Sequence, residues 1–146
     1  MILGFKTTIN NKETFFEQKI KRCFPPYKFL KEHNQFKPKI HTIREDKKER
    51  WHAGNLIHFT TGARTKNINI FLKDKLCVST QTIEIKYNKK YDRYLLPDVL
   101  IDNKKLSILW LNILAINDGF DSVEDFFNYF PNDFKGKLIH WTDFSY

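Results

Sequence analysis

The chain has 146 residues, 41% of them hydrophobic and 16% aromatic, including 14 Phe, 6 Tyr and 3 Trp. That is enough for one domain with a core of its own, and it excludes a disordered chain, which lacks such packing material. The net charge of +8 is polarised: residues 19–50 carry 11 Lys/Arg against 4 Asp/Glu, whereas residues 117–146 carry 2 against 6. A basic face of this kind attracts polyanions through counterion release, although a merely solvated Lys-rich surface has the same composition.

Ile2–Thr7 reads as a first strand and Asn10-Asn11 as a turn. Lys12–Cys23 then has Phe16, Ile20 and Cys23 at helical spacing on one face, and Pro25-Pro26 stops that helix. A loose basic segment, Tyr27–Pro38, is expected to hold a short helix around Phe29–His33. Lys39–Arg44 alternates with period 2, so a strand is expected, with Ile40 and Thr42 on one face and Lys39, His41 and Ile43 on the other. A charged turn, Glu45–Arg50, leads to the tight turn Trp51–Asn55, which needs Gly54, and to a strand over Leu56–Thr60. Thr61–Asn67 is a polar, basic loop.

Leu76–Tyr87 reads as one long strand whose apolar phase slips by one position, from Leu76/Val78 to Ile83/Ile85/Tyr87. Such a slip predicts a β-bulge near Thr80–Thr82. Asn88–Tyr94 is a hairpin tip, and Val99–Ile101 ends in a turn at Asp102-Asn103. Ser107 caps a helix over Ile108–Asn117, Ser122 and Asp125 form a capping box for Val123–Phe130, Pro131 ends that helix, and Leu138–Phe144 is a closing strand. No repeat or linker divides the chain, so residues 1–146 form a single α+β domain in which strands predominate, a pattern that suits a small barrel with peripheral helices.

The longest apolar stretch, Leu106–Ile116, is interrupted by Ser107 and Asn112, so no membrane span is expected. The opening residues lack a basic leader, an apolar run and a cleavage site, which makes the cytoplasm the expected location. Cys23 and Cys77 lie far apart in apolar patterns and read as buried free thiols. Neither they nor the five histidines show zinc-ligand spacing, and no phosphate-binding glycine motif or nucleophile elbow is present. No metal or cofactor is expected, and a monomer is the default.

Three local signatures resemble one family. Lys37-Pro38-Lys39-Ile40-His41-Thr42-Ile43-Arg44 is similar to the G-x-K-x-x-[ET]-x-R signature of ASCH domains, with Lys37 in the place of glycine. Trp51–Ile57 resembles that family's W-x-x-G-x-x-[IL] strand start, and Asp118–Phe126 its acidic-Gly-Phe turn before an S-x-E-[DE]-[FL] helix, with Asp118 where Glu is common. The resemblance runs from Met1 to Trp141 and implies a PUA-like barrel with a cleft that accepts RNA or a modified base. One branch, the bacterial acetylcytidine amidohydrolases, implies catalytic roles for Lys39, Thr42 and Asp118, with Arg44 as anion or carbonyl partner. Amide hydrolysis needs a nucleophile, a base and donors for the oxyanion. A threonine hydroxyl serves only if a base takes its proton, and a lysine serves as base only if burial or a nearby cation lowers its pKa.

The expected function is therefore binding of RNA or a nucleobase in a basic cleft, with a nucleoside amidohydrolase and a nuclease as alternatives. Lys39, His41, Arg44, Arg64 and Lys66 are the expected ligand contacts, and Trp51 a stacking surface for a base, though a tryptophan beside a glycine turn more often packs in a core. One obstacle is evident: three residues apart on an ideal strand, Lys39 and Thr42 point to opposite faces.

Overall fold

A computed structural model of the chain describes residues 1–87 and 96–146. Strand β1 (Ile2–Phe5) is followed by a small hairpin, β2 (Thr8–Ile9) and β3 (Lys12–Glu13). Asn10 and Asn11 turn it with φ of 49° and 61°, a left-handed pair that asparagine tolerates. The hairpin claims residues assigned above to a helix, so α1 covers only Phe16–Lys21, entered through Phe15 at φ 52°. Its apolar face still buries Phe16 and Ile20. The basic segment forms two short 3₁₀ turns, Tyr27–Phe29 and Lys31–His33.

Strand β4 (His41–Arg44) starts two residues later than its alternation suggests. Gly54, at φ 89°, turns the chain into β5 (Leu56–Thr61). Next come β6 (Asn69–Leu76) and β7 (Ser79–Lys86), then β8 (Asp98–Ile101) and β9 (Lys104–Lys105), which turn at Asp102 and Asn103. Helix α2 (Ile108–Asn117) begins after Ser107 and ends at Asp118. Helix α3 (Val123–Tyr129) has the expected cap: Asp125 N–H donates to Ser122 Oγ at 3.0 Å. Strand β10 (Phe134–His140) begins four residues before the expected closing strand, because Asp133 accepts the Tyr87 N–H and starts the pairing with β7 early. The expected hairpin tip at Asn88–Tyr94 lies outside the described residues.

This is a mixed α+β architecture with its strands divided among three sheets: β1-β5-β6, β4-β10-β7-β8-β9 and the hairpin β2-β3. No ring of hydrogen-bonded strands closes among the described residues. The apolar phase slip has a different cause from the expected bulge. The segment is two strands, and the chain leaves one sheet and joins the other between Leu76 and Ser79. Leu76 therefore ends on an exposed face, while Ile83 and Ile85 are buried in the larger sheet. The bulges that do occur lie in the β5–β6 pair, between Ile57 and Thr60.

Two hydrophobic cores result, and β10 belongs to both. Leu138 enters the first, with Ile83, Leu114 and Phe126; its neighbour Ile139 enters the second, with Phe5, Phe59 and Trp141. Such alternation is what a strand between two apolar layers requires. Helix α2 buries Leu111, Leu114 and Ala115 and leaves Ile108, Leu109 and Trp110 exposed.

Candidate active site

The site forms where the chain crosses from α1 to β4. Lys39 precedes the strand: its N–H donates to Lys19 of α1, and its carbonyl accepts from Trp141 Nε1 and Cys23 Sγ. Ile40 N–H is taken by Asn117 at the end of α2. With its own backbone tied to α1 and Trp141 and that of Ile40 to α2, Lys39 escapes the strand's alternation, whereas Thr42 and Arg44, two apart on β4, share a face. All three line one cavity of about 120 Å³ with Asp118. Its remaining walls are Gly4 and Phe5 from β1, Lys6 just after it, Phe16 from α1, and Phe120 and Tyr129 from the α2–α3 region.

Lys39 is 1% exposed, and its ammonium donates to Asp118 Oδ1 at 2.6 Å and to the Asp118 carbonyl oxygen. It also sits 4.7 Å from the centre of the Phe16 ring. Burial lowers its pKa to about 8; Asp118 opposes the shift, while Arg44 and Lys19 reinforce it. Burial raises the Asp118 carboxyl, but Lys39 and His41 outweigh it and hold the group below the usual carboxylate range. Lys39 therefore gives up its proton more readily than an exposed lysine does.

Asp118 is placed by the helix end. It is the C-cap of α2, and Gly119 follows at φ 89°, the left-handed conformation that ends many helices. Close packing adds to the demand for glycine: a Cβ on residue 119 would lie 2.9 Å from Lys39 Cδ and 2.9 Å from Phe16 Cε1. The Thr42 hydroxyl makes no hydrogen bond among the described residues, although the side chain is buried against the cavity. Arg44 donates to the Gly4 carbonyl at 2.8 Å and to its neighbour Ile43, and packs 5.2 Å over the Phe5 ring. No carboxylate lies within ion-pair distance of it among the described residues, so the cavity carries excess positive charge.

The other expected contacts lie elsewhere. His41 is fully buried behind Asp118, with Nδ1 3.6 Å from Asp118 Oδ1, and does not line the cavity. Trp51 is packed in the second core, which removes its ring from any base. Arg64 and Lys66 are exposed on the turn after β5 and are not in the cavity wall. Sequence reasoning did not reach Gly4, Phe5, Lys6, Phe16, Phe120 or Tyr129 as site residues. They come from four separate segments, and only tertiary contact gathers them; Phe120, beside Asp118 and Gly119 in the late turn, was the one within reach of a motif. Among the described residues no group of three or more His, Cys, Asp or Glu is arranged to hold a metal ion.

No family model matches this chain, and neither the curated proteins nor the solved structures contain a match to it.

Proposed function

We propose that the cavity binds one acylated nucleobase and hydrolyses its acyl amide, and that the chain is a PUA-like ASCH domain related to the acetylcytidine amidohydrolases. The observation that carries this reading is a fully buried lysine, with pKa lowered to about 8, in one cavity with an unengaged threonine hydroxyl and an arginine that has no carboxylate within ion-pair distance among the described residues. These are the base, nucleophile and oxyanion partner that amide hydrolysis needs. At about 120 Å³ the cavity is somewhat smaller than one of about 150 Å³ that takes a benzene ring, so it has room for part of a single planar group and none for a polynucleotide.

In this mechanism neutral Lys39 accepts the Thr42 proton as the threonine oxygen attacks the carbonyl carbon. Negative charge develops on the carbonyl oxygen beside Arg44. Collapse expels the amine, which takes the proton from Lys39, and leaves an ester on Thr42. Water then attacks the ester while Lys39 again takes a proton; the carboxylic acid departs and Thr42 recovers its hydrogen. Asp118 holds the lysine in place, and the phenylalanines exclude bulk water.

A second reading, binding of RNA or a nucleobase without turnover, has one observation in its favour. The Lys39 ammonium lies on a carboxylate, which favours its charged, non-basic form. Hydrolysis of acetylated cytidine by the purified chain, with Lys39→Ala and Thr42→Ala beside it, separates the two. Turnover lost in both variants with the fold intact supports the hydrolase. No turnover, with salt-sensitive RNA binding that survives Thr42→Ala, supports the binding module, and nucleic-acid cleavage abolished by a chelator marks a nuclease.

A further inference from the structure

A set of buried polar side chains lies behind the cavity, outside the mechanism above. His41 Nε2 is 2.8 Å from the Tyr146 hydroxyl, and that hydroxyl also accepts from Asn117 Nδ2 at 3.0 Å. Tyr146 is held from both sides of its backbone, its N–H donating to Gln81 Oε1 and its carbonyl accepting from Gln81 Nε2, and its ring packs on Trp110. The other ring nitrogen, His41 Nδ1, is buried, makes no hydrogen bond, and faces Asp118 Oδ1 at 3.6 Å.

Proton counting assigns these bonds. With Asn117 donating to one of its lone pairs, the Tyr146 hydroxyl has its single hydrogen to place, and His41 Nε2 is the acceptor in position. An imidazole that accepts at Nε2 carries its hydrogen on Nδ1 when neutral. The Asp118 side demands the same tautomer, because an unprotonated Nδ1 would set a lone pair against the carboxylate. Burial keeps the ring neutral, and the groups around it are Asp118, Lys39, His140 and Tyr146. We propose that Tyr146 and His41 are positioning residues: the tyrosine fixes His41 as its Nδ1–H tautomer, which aims that N–H at Asp118 and holds the carboxylate against Lys39. Neither residue touches the cavity. The arrangement steadies Asp118 without adding a second positive charge beside the lysine. A gap of 3.6 Å is longer than a hydrogen bond, and closing it as the cavity fills is how such a contact would act during turnover.

The kinetic consequence rests on the hydrolase reading; the tautomer does not. Nitrogen-15 NMR of the full chain, labelled at histidine, distinguishes protonated from bare ring nitrogens. We expect His41 to show hydrogen on Nδ1 and a bare Nε2, and Tyr146→Phe, which keeps the ring and loses the hydroxyl, to move part or all of the hydrogen to Nε2. On an acylated nucleoside the variant should lose about five- to tenfold in kcat, the worth of one hydrogen bond, with KM nearly unchanged. Hydrogen on Nε2 in the unmodified protein, or a tautomer indifferent to Tyr146→Phe, overturns the proposal. So does a variant that turns over as fast as the parent. If the parent shows no turnover at all, the hydrolase reading fails and the NMR result alone decides the relay.

Discussion

Lys39 and Asp118 set opposite conditions on each other. Burial favours an uncharged lysine and the carboxylate favours a charged one, and the balance leaves a pKa of about 8, below the ordinary lysine value. Between about pH 8 and 10.5 the unfolded chain therefore binds a proton that the folded chain does not, so this group makes stability rise with pH through that window. If Lys39 is the base, kcat/KM should climb with pH to a plateau above about 8; a profile flat from pH 6 to 9 sinks that role. Asp118→Asn removes the partner and leaves a buried ammonium alone. That should cost about 3–5 kcal/mol at pH 6 and less at pH 9, where the lysine sheds its proton, as urea unfolding at both values would reveal. His41 and His140 act with the same sign at acid pH. Both are buried, His140 with its pKa lowered to about 3, so both fold as neutral rings and stability should fall as pH drops below about 6.5. A urea midpoint unchanged between pH 7 and 4.5 would contradict this.

At the scale of elements, the turn between α2 and α3 sets the position of the carboxylate. Gly119→Ala forces a left-handed alanine and a Cβ into Lys39 and Phe16, so about 1–3 kcal/mol of destabilisation and a displaced lysine are expected. Ser122→Ala, one turn along, removes the cap of α3 and should cost about 1 kcal/mol while leaving ligand affinity alone. Thermal melts combined with binding or turnover separate the two: the glycine variant must lose function beyond its loss of stability, and the serine variant must not. The strand before β4 shows why short patterns mislead. Lys39-Ile40 alternates with His41–Arg44 as a strand would, yet its backbone groups bond to α1, α2 and Trp141. That departure is what sets Lys39 and Thr42 around the same cavity, as two residues three apart on a regular strand could not be.

At the scale of the molecule, β10 joins two cores, so neither is expected to unfold alone. Leu138→Ala in the first core and Ile139→Ala in the second should each cost about 2–5 kcal/mol, with one cooperative transition in urea for both variants. Separate transitions would show that β10 does not couple the layers. The charge polarity bears on ligand size. An acylated nucleoside in the cavity has no phosphate and releases almost no counterions, so its affinity should be nearly independent of salt; a bound RNA strand would show a log–log slope of roughly −0.7 for each phosphate engaged.

Elements with strong local determinants were legible from sequence. Ser122 and Asp125 cap α3, and the Asn10-Asn11 and Asp102-Asn103 turns fall where such residues tolerate left-handed backbone; α2 runs over Ile108–Asn117 as expected, although the Ser107 side chain before it makes no cap hydrogen bond. Lys39, Thr42, Arg44 and Asp118 could be nominated because three of them sit in one short motif and the fourth beside a glycine turn. Tertiary structure alone decided the rest: that Leu76–Tyr87 is two strands in two sheets, that Trp51 is core and His41 lies behind the cavity, and that Phe5, Phe16 and Tyr129 form its walls. The physical reason is range. Caps and turns are satisfied by neighbours in sequence, whereas sheet membership, burial and a lowered lysine pKa depend on which distant segments pack against a residue.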